Sequence, residues 1–111
     1  MPAYIPSKGD YIAVTFDPQS GHEQKGRRPA LVVSNNLFNK HTGLAIVCPI
    51  TNTRGDFPFH VAVGDNGTLT GFIMVEQVKS IDFCARGACR IARASAAVME
   101  EVLSLLDACV Y

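Results

Sequence analysis

Gly21-His22-Glu23-Gln24-Lys25-Gly26-Arg27-Arg28-Pro29-Ala30-Leu31-Val32-Val33-Ser34 holds the change of character on which the fold turns. A polar loop bracketed by glycines gives way at Pro29 to a short, nearly continuous apolar run. Its length and its valines fit a strand buried on both faces better than a helix. Upstream, Asp10-Tyr11-Ile12-Ala13-Val14-Thr15-Phe16 is β-branched and aromatic with partial alternation, and reads as a strand stopped by Asp17-Pro18. The loop therefore joins two strands. Loops raised on a rigid scaffold are where binding and catalytic groups concentrate.

The same reading continues downstream. Asn35 to Lys40 makes one asparagine-capped helical turn, and His41-Thr42-Gly43 is a turn. Leu44 to Ile50 is a third strand. A second polar loop, Thr51 to Asp56, leads to a strand over Phe59 to Val63, and Gly64-Asp65-Asn66-Gly67 is a turn. Gly71 to Val75, Val78 to Ile81 and Arg86 to Ala92 complete the sheet. Ser95 is placed as an N-cap. After it Val98, Met99, Val102, Leu103, Leu105, Leu106, Cys109 and Val110 recur at helical spacing, with Glu100 and Glu101 facing outward. Short strands with glycine-rich turns, closed by a helix, predict a mostly β protein: a small antiparallel barrel with a C-terminal amphipathic helix over one opening or face.

Composition narrows the classes. At 111 residues and 48% hydrophobic, the chain is expected to be one domain, 1–111, with a real core. No apolar run approaches the roughly 18–20 residues of a membrane span. The N-terminal residues lack the charged and apolar regions of a signal peptide, so a cytoplasmic location is expected. Cys48, Cys84, Cys89 and Cys109 show neither a disulfide framework nor metal-ligand spacing, and free thiols are expected. Nothing implies a cofactor. Ten basic residues balance ten acidic ones, which excludes coating of nucleic acid by bulk charge. The distribution is uneven, however. Lys8, Lys25, Arg27, Arg28, Lys40 and Arg54 crowd the first half against Asp10, Asp17 and Glu23.

The two polar loops are expected to emerge on the same side of the barrel. Together they offer Glu23, Gln24, Arg27, Arg28, Thr51, Asn52, Thr53 and Arg54, a set suited to an anionic substrate with readable edges, such as single-stranded nucleic acid. Arg28, directly before the proline, is the most constrained of the guanidiniums. A brace between Arg28 and Glu23 is the structural reading of the same pair. His60, in an alternating strand, reads as structural and His41 as solvated. Gln77, Lys79 and Ser80 lie among apolar residues at the end of the sheet, where strand alternation alone accounts for them.

Taken in order, these blocks resemble the MazF/PemK family of toxins from toxin–antitoxin modules. The likeness runs through Gly9-Asp10, Phe16-Asp17-Pro18 and Gly21 to Ser34. It continues through Cys48-Pro49-Ile50-Thr51-Asn52-Thr53, Phe57-Pro58 and Gln77-Val78-Lys79-Ser80-Ile81-Asp82. The resemblance implies an SH3-like barrel working as a homodimer. It implies a metal-independent endoribonuclease that cuts single-stranded RNA at a short sequence, and a cognate MazE-like antitoxin. By matching position, Arg28 and Thr51 are implied to be catalytic, with Glu23 as a third member. Gln24, Arg27, Asn52, Thr53, Arg54, Gln77, Lys79 and Ser80 are implied to bind RNA. Some relatives carry a histidine where this chain has Arg27, so no imidazole serves proton transfer there. A same-fold toxin that poisons DNA gyrase and a non-catalytic RNA-binding barrel are the alternative functions.

Overall fold

The apolar run that begins at Pro29 lies in a central strand of a twisted antiparallel sheet. The structure is a computed structural model and describes residues 4–15, 27–53, 58–64 and 69–111. Strand β1 (Asp10–Thr15) pairs with β2 (Arg27–Val32), in the register Tyr11↔Leu31 to Thr15↔Arg27. Helix α1 (Asn36–Thr42) follows, its N-terminus capped by Asn35, whose side chain accepts the Phe38 N–H. Gly43 ends the helix in the left-handed region. Strand β3 (Leu44–Thr51) takes β2 on one edge.

The other edge of β3 is shared. Strand β5 (Phe72–Met74) pairs near its end and β6 (Lys79–Asp82) near its start. Between them a 3-10 turn, Val75–Gln77, interrupts the ladder: Ile50 faces Ile73 and Val47 faces Lys79. Strand β4 (His60–Ala62) pairs β5, and β7 (Cys89–Arg93) pairs β1. Helix α2 (Ala96–Val110) closes the described chain, with the Ser95 hydroxyl accepting the Val98 N–H.

Both faces of the central strands are covered, which is why their sequences read as unbroken apolar runs rather than alternating ones. Tyr11, Leu31, Cys48, Ile50 and Ile73 form one core, against which α2 packs Val102, Val98, Met99, Leu103 and Leu106. Ile12, Val14, Ala30, Val32, Ala45 and Val47 form the other, with Ile81 and Phe83. Phe83 and Ile81 come from beyond β3, while Ile12 and Val14 come from β1 on the far side of β2. Only a rolled sheet brings them into one cluster. The seam is closed by a backbone bond from Thr15 N–H to the Arg86 carbonyl (3.1 Å), in the turn that links β6 to β7. The small barrel read from the sequence is the one observed, and Glu100 and Glu101 face outward on α2 as expected.

Buried polar nodes fasten the N-terminal segment to this barrel. The Asp10 carboxylate accepts the Tyr4 hydroxyl, the Ser7 N–H (3.0 Å) and an Arg93 N–H (2.9 Å). Asn39, wholly buried, donates to the Pro6 carbonyl (2.8 Å) and accepts the Ser34 hydroxyl. A buried side-chain amide is tolerated only when satisfied in this way.

Element limits differ from the sequence reading in three instructive places. Arg27 and Arg28 belong to β2 rather than to the preceding loop, and Thr51 is the last residue of β3 rather than the first of the second loop. Pairing with β1 extends β2 back past its proline. Residues 84–87 form a turn, so the last strand begins at Cys89 and not at Arg86. Gly87 sits at φ 62°, a left-handed conformation suited to the turn that precedes β7.

Candidate active site

The ladder between β2 and β3 stops at Ala30↔Pro49. Prolines 29 and 49 each lack the N–H that a continuing ladder needs. Extending the same register past them sets Arg28 opposite Thr51. Arg28 pairs with Val14 on its other side, and Thr51 pairs with Phe72. Val14, Arg28, Thr51 and Phe72 thus form one row across the sheet. Laterally opposite side chains share a face, and Val14 belongs to the second core. Arg28 and Thr51 therefore stand at the open end of that core, with Arg28 exposed and Thr51 half-buried. The register thus brings two residues 23 positions apart in sequence to the same end and the same face of the sheet.

The Thr51 hydroxyl is not idle. Its oxygen accepts the Thr53 N–H at 3.1 Å. That bond fixes the oxygen and leaves the hydroxyl proton to donate outward, toward an acceptor such as a phosphate oxygen. Asn52, exposed, accepts the Thr70 hydroxyl at 3.4 Å through its amide oxygen. Behind Thr51 there is no spare room: a Cβ on Gly71, which sits at φ 127°, would come within 2.7 Å of the Thr51 carbonyl oxygen.

Lys79 pairs with Val47 and so shares the Arg28–Thr51 face, about 13 Å along β3 from Thr51 at the usual rise per strand residue. Ser80 pairs with Ile46 and falls on the opposite face. Gln77 is exposed on the 3-10 turn, which is held by the pair between His60 Nε2 and Glu76 Oε2 (3.0 Å). His60, only 6% exposed in its side chain, is structural, as its strand alternation indicates.

Arg27 points elsewhere. Its guanidinium donates to the Arg86 carbonyl (3.3 Å) and to Cys89 Sγ (3.3 Å). The structure thus draws Arg27 onto the turn before β7 and away from Thr51. Glu23, Gln24 and Arg54 lie outside the described residues, as does the Arg28–Glu23 brace. Arg86 was not legible as a site residue, since nothing in its spacing marks it; Gly87 after it is a turn signal that sequence reading passed over. Among the described residues no cluster of histidine, cysteine, aspartate or glutamate is arranged to hold a metal ion. No described helix is long and apolar enough to cross a membrane.

An exposed guanidinium and a donor hydroxyl at the same end of a small rolled sheet describe a β-barrel protein whose candidate site has the chemistry to hold a phosphate. The comparisons place it more closely. Residues 7–110 match the family described as PemK-like, MazF-like toxin of type II toxin-antitoxin system, and the chain belongs to that family. It is 39% identical over 105 residues to the endoribonuclease toxin MazF of Escherichia coli K12, covering 95% of this chain and 90% of that protein. It is 44% identical over 112 residues to the endoribonuclease toxin ChpB of the same strain, covering 93% and 92%. A crystal structure of MazE-MazF from Deinococcus radiodurans superposes with a TM-score of 0.90 at 37% identity, covering 97% of each chain.

Proposed function

We propose that this protein is the toxin of a toxin–antitoxin pair and an endoribonuclease that cuts single-stranded RNA, mRNA among it, at a short sequence. It acts as one domain over residues 1–111, as a homodimer in the cytoplasm. It is restrained by a MazE-like antitoxin. Family membership and the endoribonuclease names of the relatives support this reading over gyrase binding or a silent RNA-binding barrel. The MazE-MazF complex of the structural relative supports the antitoxin. The observation that carries the chemistry is the register that sets Arg28 against Thr51.

RNA brings its own nucleophile. The 2′-hydroxyl attacks the adjacent phosphorus as its proton passes to a base. The P–O5′ bond breaks and the 5′-oxygen takes up a proton, giving a 2′,3′-cyclic phosphate and a 5′-hydroxyl end. The reaction needs no cofactor or metal in principle. Its barrier lies in the charge that builds on the phosphoryl oxygens. The Arg28 fork fits two of those oxygens. A guanidinium offers donors and no acceptor, so it does not serve as the base, and Glu23 is the natural one. The Thr51 hydroxyl, its oxygen already held by Thr53 N–H, donates to the scissile phosphate. Lys79, on the Arg28–Thr51 face, meets the flanking nucleotides together with Gln24, Asn52, Thr53, Arg54 and Gln77; Ser80, on the opposite face, leaves the RNA-binding set.

A substrate carrying one 2′-deoxyribose on the 5′ side of the cut tests the mechanism. Binding with no cleavage at that bond is expected. Cleavage there would exclude attack by the 2′-hydroxyl.

A further inference from the structure

Residues 84–87 fold into a tight turn with a dense set of bonds: Ala85 N–H to Asp82 Oδ1 (3.0 Å), Arg86 N–H to the Asp82 carbonyl (3.0 Å) and Gly87 N–H to the Cys84 carbonyl (3.1 Å). From this turn Arg86 reaches the end of β1 twice. Its guanidinium donates to the Thr15 carbonyl at 3.0 Å, and its own carbonyl accepts the Thr15 N–H at 3.1 Å. The same carbonyl accepts the Arg27 guanidinium at 3.3 Å. Thr15 and Arg27 are register partners, the last pair of the β1–β2 ladder. One residue, Arg86, thus clasps both strands where they end.

The clasp is shaped for Arg27. A Cβ on Gly87 would lie 3.0 Å from Arg27 Nη1, and Gly87 is held at φ 62°. A side chain there is both strained and crowded against the guanidinium. Arg27, so held, settles its neighbour. Successive residues of a strand point to opposite faces. With Arg27 tied to the turn, Arg28 is turned toward the face that carries Thr51. Untied, the first residues of β2 are a strand end past a proline, held by the ladder to β1 alone and by none to β3.

We propose that Arg86 is a positioning residue for Arg28, acting through Thr15 and Arg27, with Gly87 providing the space for the Arg27 guanidinium. The inference rests on the reading of Arg28 given above. It assigns Arg27 to orientation rather than to RNA contact.

The test is single-site kinetics on an RNA oligonucleotide containing a cut site mapped with the wild-type protein. Arg86→Met keeps the apolar stem and removes the donor to Thr15. It is expected to lower kcat by about tenfold to a hundredfold, the usual cost of a small misplacement of a reacting group, while KM stays near wild type. Arg86→Lys, which restores one donor, recovers most of the rate. Arg27→Met gives the same kcat defect, and Arg86→Met/Arg27→Met is no worse than either alone. If Arg86→Met does not fold, Arg27→Met at its exposed position decides the question by the same split. Wild-type kcat in the folded variant overturns the proposal, and so does a loss confined to KM. The two readings fail separately. Full activity in Arg28→Ala removes the proposed function, whereas a dead Arg28→Ala beside a fully active Arg86→Met removes this inference alone.

Discussion

Cys48 shows at the scale of one residue how dry the interior is. It is wholly buried in β3, among Tyr11, Leu31 and Ile50. Burial, helped by the negative charge of Glu76, pushes its thiol up to about 12. A thiol exposed on unfolding ionises near about 8.5. The neutral thiol's contribution to stability is therefore whole below about 8.5 and is lost as pH rises from there toward 12. Tyr4 acts in the same direction at higher pH, since burial and its bond to Asp10 raise its phenol above the ordinary value near ~10. Melting temperature is expected to fall as pH climbs from 9 to 11, about the range these groups span when exposed. The slope should be shallower in Cys48→Val. An equal slope in the two proteins would show that the thiol is not held neutral.

Elements, rather than residues, explain what could and could not be read beforehand. Pro29 to Ser34 and Leu44 to Ile50 announced strands because burial on both faces demands unbroken apolar sequence. Ser95 and Asn35 announced helix starts because a cap is local chemistry. Arg28 and Thr51 stood out as chemical groups, but their meeting did not. It depends on the register between β2 and β3, which is a property of pairing and not of either strand's sequence. The setting of Arg27 was illegible for a related reason. One of its partners is a backbone carbonyl 59 residues away, which no side-chain pattern records, and the other, Cys89 Sγ, is brought near only by the pairing of β7 with β1. Gly71 belongs to this scale. Its backbone lies against the end of β3, so Gly71→Ala is expected to destabilise the fold by about 1–3 kcal/mol through strain at φ 127°. Because the clash falls on the Thr51 carbonyl, RNA cleavage should fall with it even below the melting temperature. A wild-type melting curve with wild-type cleavage would contradict the role given to that close approach.

At the scale of the whole molecule, the rolled sheet divides its labours. One core packs against α2; the other runs to the end where the β2–β3 ladder stops, beside Arg28 and Thr51. The formal charge is zero, so under the proposed function attraction for RNA comes from a local cluster, and binding is expected to weaken with salt less steeply than for a protein that neutralises many phosphates. If Arg28 stabilises the charge of metal-free RNA cleavage, digestion of a long single-stranded RNA in EDTA by purified wild-type protein and by folded Arg28→Ala, with every fragment end mapped, reads that role out. Cuts at one short recurring sequence, ending in 2′,3′-cyclic phosphate and 5′-hydroxyl, are expected from the wild-type protein, and none from Arg28→Ala. Undiminished cutting by the variant, or an RNA left whole by the wild-type protein, would contradict that role.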